Sequence, residues 1–416
     1  MKAYLRTFGC RANQYDTEAV RAMIEAAGGE IVATPGDADV ALFNSCAVTS
    51  AAEADLRQAV RRTANEHPGI RSVVLGCASA RDDGTIAALP GVSDVMAGAD
   101  LQALAMALGI DPTLARVRPT LQTGSRGLLR VQEGCDEHCT FCATTLARGA
   151  HRSRAGDELV REAQALAAEH PEIVITGIHI GSYGGECGSS LGLLVERLVS
   201  EVPRVRFRLT SVEATEVDAR LAELLTCDSA RVAPHLHAPL QSGSDRVLRR
   251  MGRHWYSAAS YATAAAAIAG RAGTFALGAD VITGFPGETE ADHAATVALV
   301  RALPFTYLHV FPYSARPGTA AMRMGQEVPA AVSRARAAEL RAIGESKAAG
   351  YASGRAGGFA DVVVVGDGTR REGLTEDYLA VALADGSIAR RSRFGARLEI
   401  GAGGKLTATV NRVLRE

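Results

Sequence analysis

The chain has 416 residues, 47% of them hydrophobic and 22% charged, which leaves room for two or three domains and a sizeable core. A formal net charge of −1 excludes a uniformly basic nucleic-acid binder. It does not exclude a local basic face, because nearly all the positive charge is arginine, with lysine only at Lys2, Lys347 and Lys405, and arginine suits bidentate phosphate contacts.

Residues 1–110 alternate β-rich and helical runs. Strands are expected at Ala3–Phe8, Val40–Phe43 and Arg71–Leu75, and helices at Thr17–Ala27, Ala51–Glu66 and Leu101–Leu108, which is a doubly wound α/β pattern with a parallel sheet. Cys10, Cys46 and Cys77 each come just after a strand. The carboxyl ends of parallel strands share one edge, where ligands bind, so three cysteines remote in sequence converge there and suit a second iron–sulfur cluster. The competing reading is three separate buried thiols acting as small hydrophobes.

Pro112–Thr123 reads as a linker. Over residues 124–346, strands at Gly127–Val131, Ile173–Gly177, Val205–Leu209, Phe275–Ile282 and Tyr307–Phe311 alternate with helices, giving a full or partial (β/α) barrel whose chemistry belongs at the carboxyl ends of its strands. The cysteine loop, Gly177, Ser211 with Glu213, His235-Leu-His237 and Gly284–Glu288 are all expected near that mouth. Cys135, Cys139 and Cys142 form a C-x3-C-x2-C run. Three thiolates this close wrap one [4Fe-4S] cube and leave one iron open, as a catalytic metal site does. The alternative is a zinc knuckle, for which His138 and His151 are offered at no usual zinc spacing. His235 and His237 share a strand face and read as hydrogen-bonded structural histidines.

A charged helix over Ser333–Ala349 precedes residues 350–416. There, strands at Phe359–Val365, Tyr378–Leu383, Ala396–Ile400 and Leu406–Val413, with turns at Gly366–Gly368, Asp385-Gly386 and Gly403-Gly404, predict a small β-barrel. Arg370, Arg371, Arg390, Arg391, Arg393 and Arg397 either form a phosphate-contacting face or are ordinary solvated arginines. No apolar run approaches the ~18–20 residues of a membrane span, and Met1–Arg6 lacks a signal peptide's apolar run. Eight cysteines without an export signal read as metal ligands or thiols. The expectation is a cytoplasmic protein with no membrane association.

The cysteine loop, with Phe141 before its last cysteine, resembles the radical S-adenosylmethionine (SAM) motif. Thr7–Glu18, Asn44–Thr49, Leu75-Gly-Cys77, Arg148-Gly149, Arg152-Ser-Arg154, His235–Ser244, Asp280–Thr289 and His309–Ser314 extend the resemblance to the methylthiotransferase family over essentially the whole chain. Glu372–Tyr378 resembles, more weakly, a TRAM RNA-binding barrel. Thr145 stands where the family usually has proline, and the C-terminal segment is poor in lysine. Gly9–Glu18, with Arg11 directly after the cysteine, is similar to the subclass acting on N6-threonylcarbamoyladenosine in tRNA.

The resemblance implies a domain at 1–110 holding an auxiliary cluster, a radical SAM domain at 124–346 and a TRAM-like domain at 350–416. It implies that Cys135, Cys139 and Cys142 hold the cluster that cleaves SAM to a 5′-deoxyadenosyl radical, and that Cys10, Cys46 and Cys77 hold a second [4Fe-4S] cluster bearing the methylated sulfur. Phe141, Gly177, Glu213 and Gln241 are the expected SAM contacts, tRNA the substrate, and a flavodoxin- or ferredoxin-type protein the low-potential electron donor. A radical suits the target, since carbon 2 of adenine carries no acidic proton for general-base chemistry. Competing readings keep the chemistry with an isopentenyladenosine or ribosomal-protein aspartate acceptor, or make the chain a two-cluster electron carrier or a metal-stabilised RNA binder. Cys187 and Cys227 read as ordinary thiols.

Overall fold

In the computed structural model, which describes every residue except 48–49, 99, 228–229, 367–371, 402–404 and 414–416, the chain divides into two units. One comprises Met1–Thr123, Gln132–Arg152 and Ser314–Thr319, the other Gly124–Val131, Ser153–Tyr313 and Ala320–Glu416.

In the first unit β1 (Lys2–Thr7), α1 (Arg11–Ala26), β2 (Glu30–Val32), β3 (Val40–Ser45), α2 (Ser50–Glu66), β4 (Arg71–Gly76), β5 (Val92–Val95) and α3 (Leu101–Leu108) alternate. The strands form one parallel sheet in the order β2-β1-β3-β4-β5, the doubly wound arrangement expected. All six residues of β3 are buried, as a central strand covered on both faces requires. Phe43 and Val74 pack with Leu56 and Val60 of α2 on one face. Leu42 and Val73 pack with Val20, Met23 and Ile24 of α1 on the other. The edge strands β2 and β5 have three and four residues and fall below the length at which periodicity is informative. The expected linker is docked instead: Leu114 and Ala115 pack onto the α1/α3 core, and the backbone N–H of Thr123 donates to Glu18 Oε1 at 3.0 Å.

After β6 (Gly127–Arg130) in the second unit, the chain returns to the first for the cysteine loop. The loop runs from β7 (Gln132–Glu133) through α4 (Thr144–Arg148) and closes at β8 (Arg152–Ser153).

The second unit continues with α5 (Gly156–Glu169), β9 (Glu172–Thr176), α6 (Leu191–Glu201), β10 (Arg206–Leu209), α7 (Ala219–Cys227), β11 (His235–His237), α8 (Asp245–Arg250), α9 (Ala258–Ala269), β12 (Ala276–Thr283), α10 (Glu290–Ala302), β13 (Tyr307–Pro312) and α11 (Ala330–Arg355). Parallel sheets β10-β9-β6 and β11-β12-β13 are joined by single parallel bridges, Phe207 with Val232 and Ser211 with His237. The result is an open six-strand arc, a partial (β/α) barrel. Its helices bury Leu159, Leu194, Val195, Leu198 and Leu225 against Ile173, Ile175, Phe207 and Leu209.

β14 (Phe359–Val365), β15 (Glu372–Thr375), β16 (Ala380–Leu383), β17 (Arg393–Ile400) and β18 (Leu406–Val413) close into a small barrel, ordered β14-β15-β16-β18-β17. The strand expected over 378–383 is shorter and has an unpredicted partner in β15. The two are separated by a turn in which Tyr378 takes φ 69°. Two expected turns reach residues 367–368 and 403–404, outside those described. This barrel docks at the amino ends of the parallel strands. Glu172, fully buried at the start of β9, accepts from Arg206 Nε at 2.7 Å and Arg208 Nε at 2.8 Å. Arg206 Nη1 reaches the Asp361 carbonyl at 3.0 Å and Arg208 Nη2 the Thr375 carbonyl at 2.9 Å. No described helix is long and apolar enough to cross a membrane.

Candidate cluster and cofactor sites

Adjacent strands carry the first three cysteines. β1, β3 and β4 lie side by side, with Thr7 opposite Asn44 and Ser45 opposite Gly76, so Cys10, Cys46 and Cys77 emerge from neighbouring carboxyl ends. Two glycines let the loops approach. Gly9 has φ +109°, and a Cβ there would stand 2.6 Å from Cys46 Cβ and 2.7 Å from its Sγ. Gly76 has φ +101°, and a Cβ would meet Asn44 Oδ1 at 2.4 Å. Only glycine tolerates both constraints.

Buried Asn13 ties the loops together. Its Oδ1 accepts from Cys10 Sγ at 3.3 Å, and its Nδ2 donates to Asn44 Oδ1 at 2.8 Å and to the Ser45 carbonyl at 2.7 Å. The Cys77 N–H donates to the same carbonyl at 3.0 Å. Cys46 and Cys77 are buried and Cys10 is exposed. Burial pushes the Cys77 thiol up to about 11, against the pull of the Arg148 guanidinium, and the charges of Cys10 and Cys46 raise it further. Three cysteine sulfurs emerging from neighbouring strand ends are a donor set whose chemistry fits an iron–sulfur cluster.

The second trio sits on a tightly folded loop in the same unit. Gly134 has φ +72°, and a Cβ would overlap the Ala150 carbonyl oxygen at 1.9 Å. Cys135 N–H donates to the Gly149 carbonyl at 3.1 Å, closing the loop. The Cys142 N–H donates to the Cys139 carbonyl at 3.0 Å, and the Thr144 N–H donates to Cys142 Sγ at 3.3 Å, an amide–sulfur contact that suits a metal-bound thiolate. All three cysteines are partly exposed, as a reactive centre requires. Of the two histidines offered to zinc, His151 engages Gln132 Nε2 through Nδ1 at 2.9 Å and His138 is exposed. Phe141 is half-buried on the loop.

Sequence reasoning gave Arg148 no role, although its Arg148-Gly149 string was noted. It ends α4, one short helix beyond Cys142, and its side chain is 2% exposed. Nε donates to Cys77 Sγ at 3.1 Å, Nη2 to Asp16 Oδ2 at 2.7 Å and Nη1 to Glu133 Oε1 at 3.2 Å.

In the second unit, Gly177, Glu213 and Gln241 follow β9, β10 and β11 and share the carboxyl edge of the arc. Glu213 is buried, and its two carboxylate oxygens accept from Arg253 Nη2 and Trp255 Nε1. Burial raises its pKa, with Arg253 opposing. Arg253 Nε also donates to the Tyr256 hydroxyl at 2.8 Å, which donates to the Leu240 carbonyl at 2.8 Å. This chain of contacts runs from Glu213 to the residue before Gln241. Gln241 itself takes φ 62°, and its amide donates to the Asp280 carbonyl at 2.8 Å while its carbonyl accepts from Ile282 at 2.9 Å. A left-handed glutamine held by two strand contacts is the kind of backbone outlier found at ligand sites.

The other expected mouth residues also lie at or just after strand ends, Gly284–Glu288 after β12 and His237 at the end of β11, but they are engaged locally. Glu288 Oε2 accepts from the Gly284 and Phe285 amides at 2.6 and 3.2 Å, and Arg336 holds Oε1 at 3.0 Å, so Gly284–Glu288 closes its own turn. His235 and His237 lie on strand β11, as expected. Both contact the Tyr307 hydroxyl, at 2.7 and 3.0 Å, and His235 stacks on Tyr378 at the amino edge. His237 also joins Asp280 and His309 in a group whose three ligand-type atoms lie within 4.8 Å of one another. Burial would raise Asp280, but hydrogen bonds from both histidines outweigh it and hold the carboxyl far below the usual range. Of the C-terminal arginines, Arg393 is buried against Asp361, Arg391 faces Glu169 at 3.6 Å and Arg390 Nε donates to Ser125 Oγ at 3.2 Å. Arg397 is exposed, and Arg370 and Arg371 lie outside the described residues. Arg390, Arg391 and Arg393 thus each have a partner within the unit. Cys187 and Cys227 are exposed.

Comparison with known proteins gives the family. A family model described as "Uncharacterized protein family UPF0004" matches residues 2–98, and one described as "Radical SAM superfamily" matches residues 129–300. The solved structure of the radical SAM methyltransferase TsrM from Kitasatospora setae shares the fold, with a TM-score of 0.58 at 15% identity, covering 77% of this chain and 76% of that one. The chain is a radical SAM enzyme, a class that implies SAM and a [4Fe-4S] cluster. Threonylcarbamoyladenosine tRNA methylthiotransferase MtaB of Bacillus subtilis (strain 168) is 36% identical, over 83% of this chain and 81% of its own length. Its namesake from Thermotoga maritima is 33% identical over 78% and 77%. The tRNA-2-methylthio-N(6)-dimethylallyladenosine synthase of Chloroherpeton thalassium is 30% identical over 89% and 86%. Within the radical SAM class, the chain belongs to the methylthiotransferase family.

Proposed function

We propose that this enzyme transfers a methylthio group to carbon 2 of N6-threonylcarbamoyladenosine next to the anticodon of tRNA, using two [4Fe-4S] clusters. The observation that carries the two-cluster reading is the emergence of Cys10, Cys46 and Cys77 from three adjacent strand ends, with glycines cleared for the approach. The acceptor is supported by relatives of that printed name at 33–36% identity and by the Gly9–Glu18 signature.

Cys135, Cys139 and Cys142 would hold the cluster that binds SAM, and Cys10, Cys46 and Cys77 the auxiliary one. When bound, these groups supply a carbon-centred radical and a transferable sulfur, chemistry that no side chain provides. The protein's own residues orient and shield. The Thr144 amide donates to Cys142, and Asn13 holds the Cys10 and Cys46 loops in register. Gly177, Glu213 and Gln241 would receive SAM at the carboxyl edge of the arc, with Glu213 aligned by Arg253 and Trp255, and Phe141 would flank its adenine. Residues 1–110, 124–346 and 350–416 then serve as auxiliary-cluster, radical SAM and RNA-positioning segments, with a low-potential flavodoxin or ferredoxin as reductant.

The test is mass spectrometry of nucleosides after incubating anaerobically reconstituted enzyme, reductant and SAM with tRNA carrying either modified adenosine. Methylthiolation of the threonylcarbamoyl form is expected. Reaction with the isopentenyl form alone would overturn the acceptor.

A further inference from the structure

We infer that Arg148 is a positioning residue that tunes the auxiliary cluster through Cys77, linking the loop of one cysteine trio to a ligand of the other. The inference rests on the two-cluster reading above.

The geometry is specific. A guanidinium has five N–H donors in a rigid plane. Here Nη2 is taken by Asp16 on α1 and Nη1 by Glu133 before the cysteine loop, at 2.7 and 3.2 Å. With both ends of the fork anchored, Nε is aimed at Cys77 Sγ, 3.1 Å away. The side chains of Arg148 and Asp16 are 2% and 1% exposed, so water does not compete for these contacts. The two carboxylates more than balance the guanidinium charge, so what reaches the sulfur is a directed N–H dipole. Salt bridging alone does not require a sulfur partner, since Asp16 and Glu133 already neutralise the cation.

Hydrogen bonds to ligating sulfur set iron–sulfur potentials, because they stabilise the more negative, reduced cluster. Arg148 therefore holds the auxiliary potential higher than the thiolates alone would. It also places that control on α4, which starts two residues after Cys142.

The test uses the full-length, anaerobically reconstituted holoenzyme, titrated electrochemically and followed by electron paramagnetic resonance. The signal that changes on SAM addition marks the radical SAM cluster, and the SAM-insensitive one the auxiliary cluster. Arg148→Lys keeps the charge and loses the Nε donor. Arg148→Gln with Asp16→Asn removes both members of the ion pair, so no buried carboxylate is stranded. The expected result, in whichever variant retains full iron, is a shift of the SAM-insensitive signal alone to more negative potential. An unchanged potential at full iron overturns the inference, as does an equal shift of both signals. Loss of the auxiliary cluster in both variants also overturns it, because Arg148 would then act in assembly. A wild-type holoenzyme with no SAM-insensitive signal, at about four irons per chain, overturns the two-cluster reading and this inference with it.

Discussion

Tyr378 stacks on His235 with ring centroids 4.3 Å apart, and Arg208 lies over the Tyr378 ring, 5.5 Å from its centroid. The contact joins the C-terminal barrel to the first residue of β11, at the amino edge of the arc. Gly177, Glu213 and Gln241 occupy the opposite edge. Within this unit the small barrel is therefore anchored away from the residues proposed to bind SAM, and a change at the anchor should alter stability before it alters cofactor chemistry.

Tyr378→Ala tests that separation. It removes a stacked aromatic and a cation–π contact and leaves a non-glycine residue at φ 69°, a cost of about 1–3 kcal/mol. Denaturant unfolding should show this loss, while reductive SAM cleavage by the reconstituted enzyme stays near wild type. Cleavage that fell in proportion to nothing but the mutation, at unchanged stability, would contradict the anchor role.

Glu172→Gln should cost more. The carboxylate is fully buried and holds Arg206 and Arg208 directly, with Arg126 at 3.4 Å. Its neighbours' attraction outweighs burial and keeps it ionised. Neutralising it strands buried guanidinium charge, which costs about 3–5 kcal/mol. A thermal midpoint within a degree or two of wild type would show that the cluster is not a structural element.

Gly9→Ala should remove one cluster. The new Cβ would overlap Cys46 at a backbone φ of +109°, so the β1–α1 loop must move and take Cys10 with it. Iron per chain should fall from about eight to about four, as it should in the triple alanine variant of Cys10, Cys46 and Cys77. SAM cleavage, assigned under the proposed function to the cluster on Cys135, Cys139 and Cys142, should persist. Full iron in the triple variant would refute convergence of those cysteines on a cluster.

Acid should destabilise the second unit through His170. Burial, and then Arg391, depress its pKa from 6.5 to about 4. As pH falls between these values the unfolded chain takes up a proton that the folded chain refuses, so stability is lost across that window. Allowing for screening, the loss is on the order of 1–2 kcal/mol. His170→Asn should flatten the pH dependence of unfolding between pH 6.5 and 4; an unaltered slope would assign the acid sensitivity elsewhere.

The sequence by itself determined the doubly wound sheet, the arc of parallel strands, the small barrel and both cysteine trios. Each depends on local signals: apolar runs of strand length, helical periodicity, and cysteines placed within three residues of a strand end or within one loop. Short edge strands such as Glu30–Val32, and the division of 372–383 into two strands, left no periodic trace. Tertiary structure alone decided which polar groups meet. Arg148 and Cys77 are 71 positions apart, and Arg208 and Thr375 are 167 apart. Nothing in the spacing of a buried arginine names its partner, because the partner is set by which strand ends and helix faces pack together. Glu213 shows the same limit: its position after a strand was legible, but Arg253 and Trp255, which occupy both its oxygens, come from a turn that only the folded chain brings beside it.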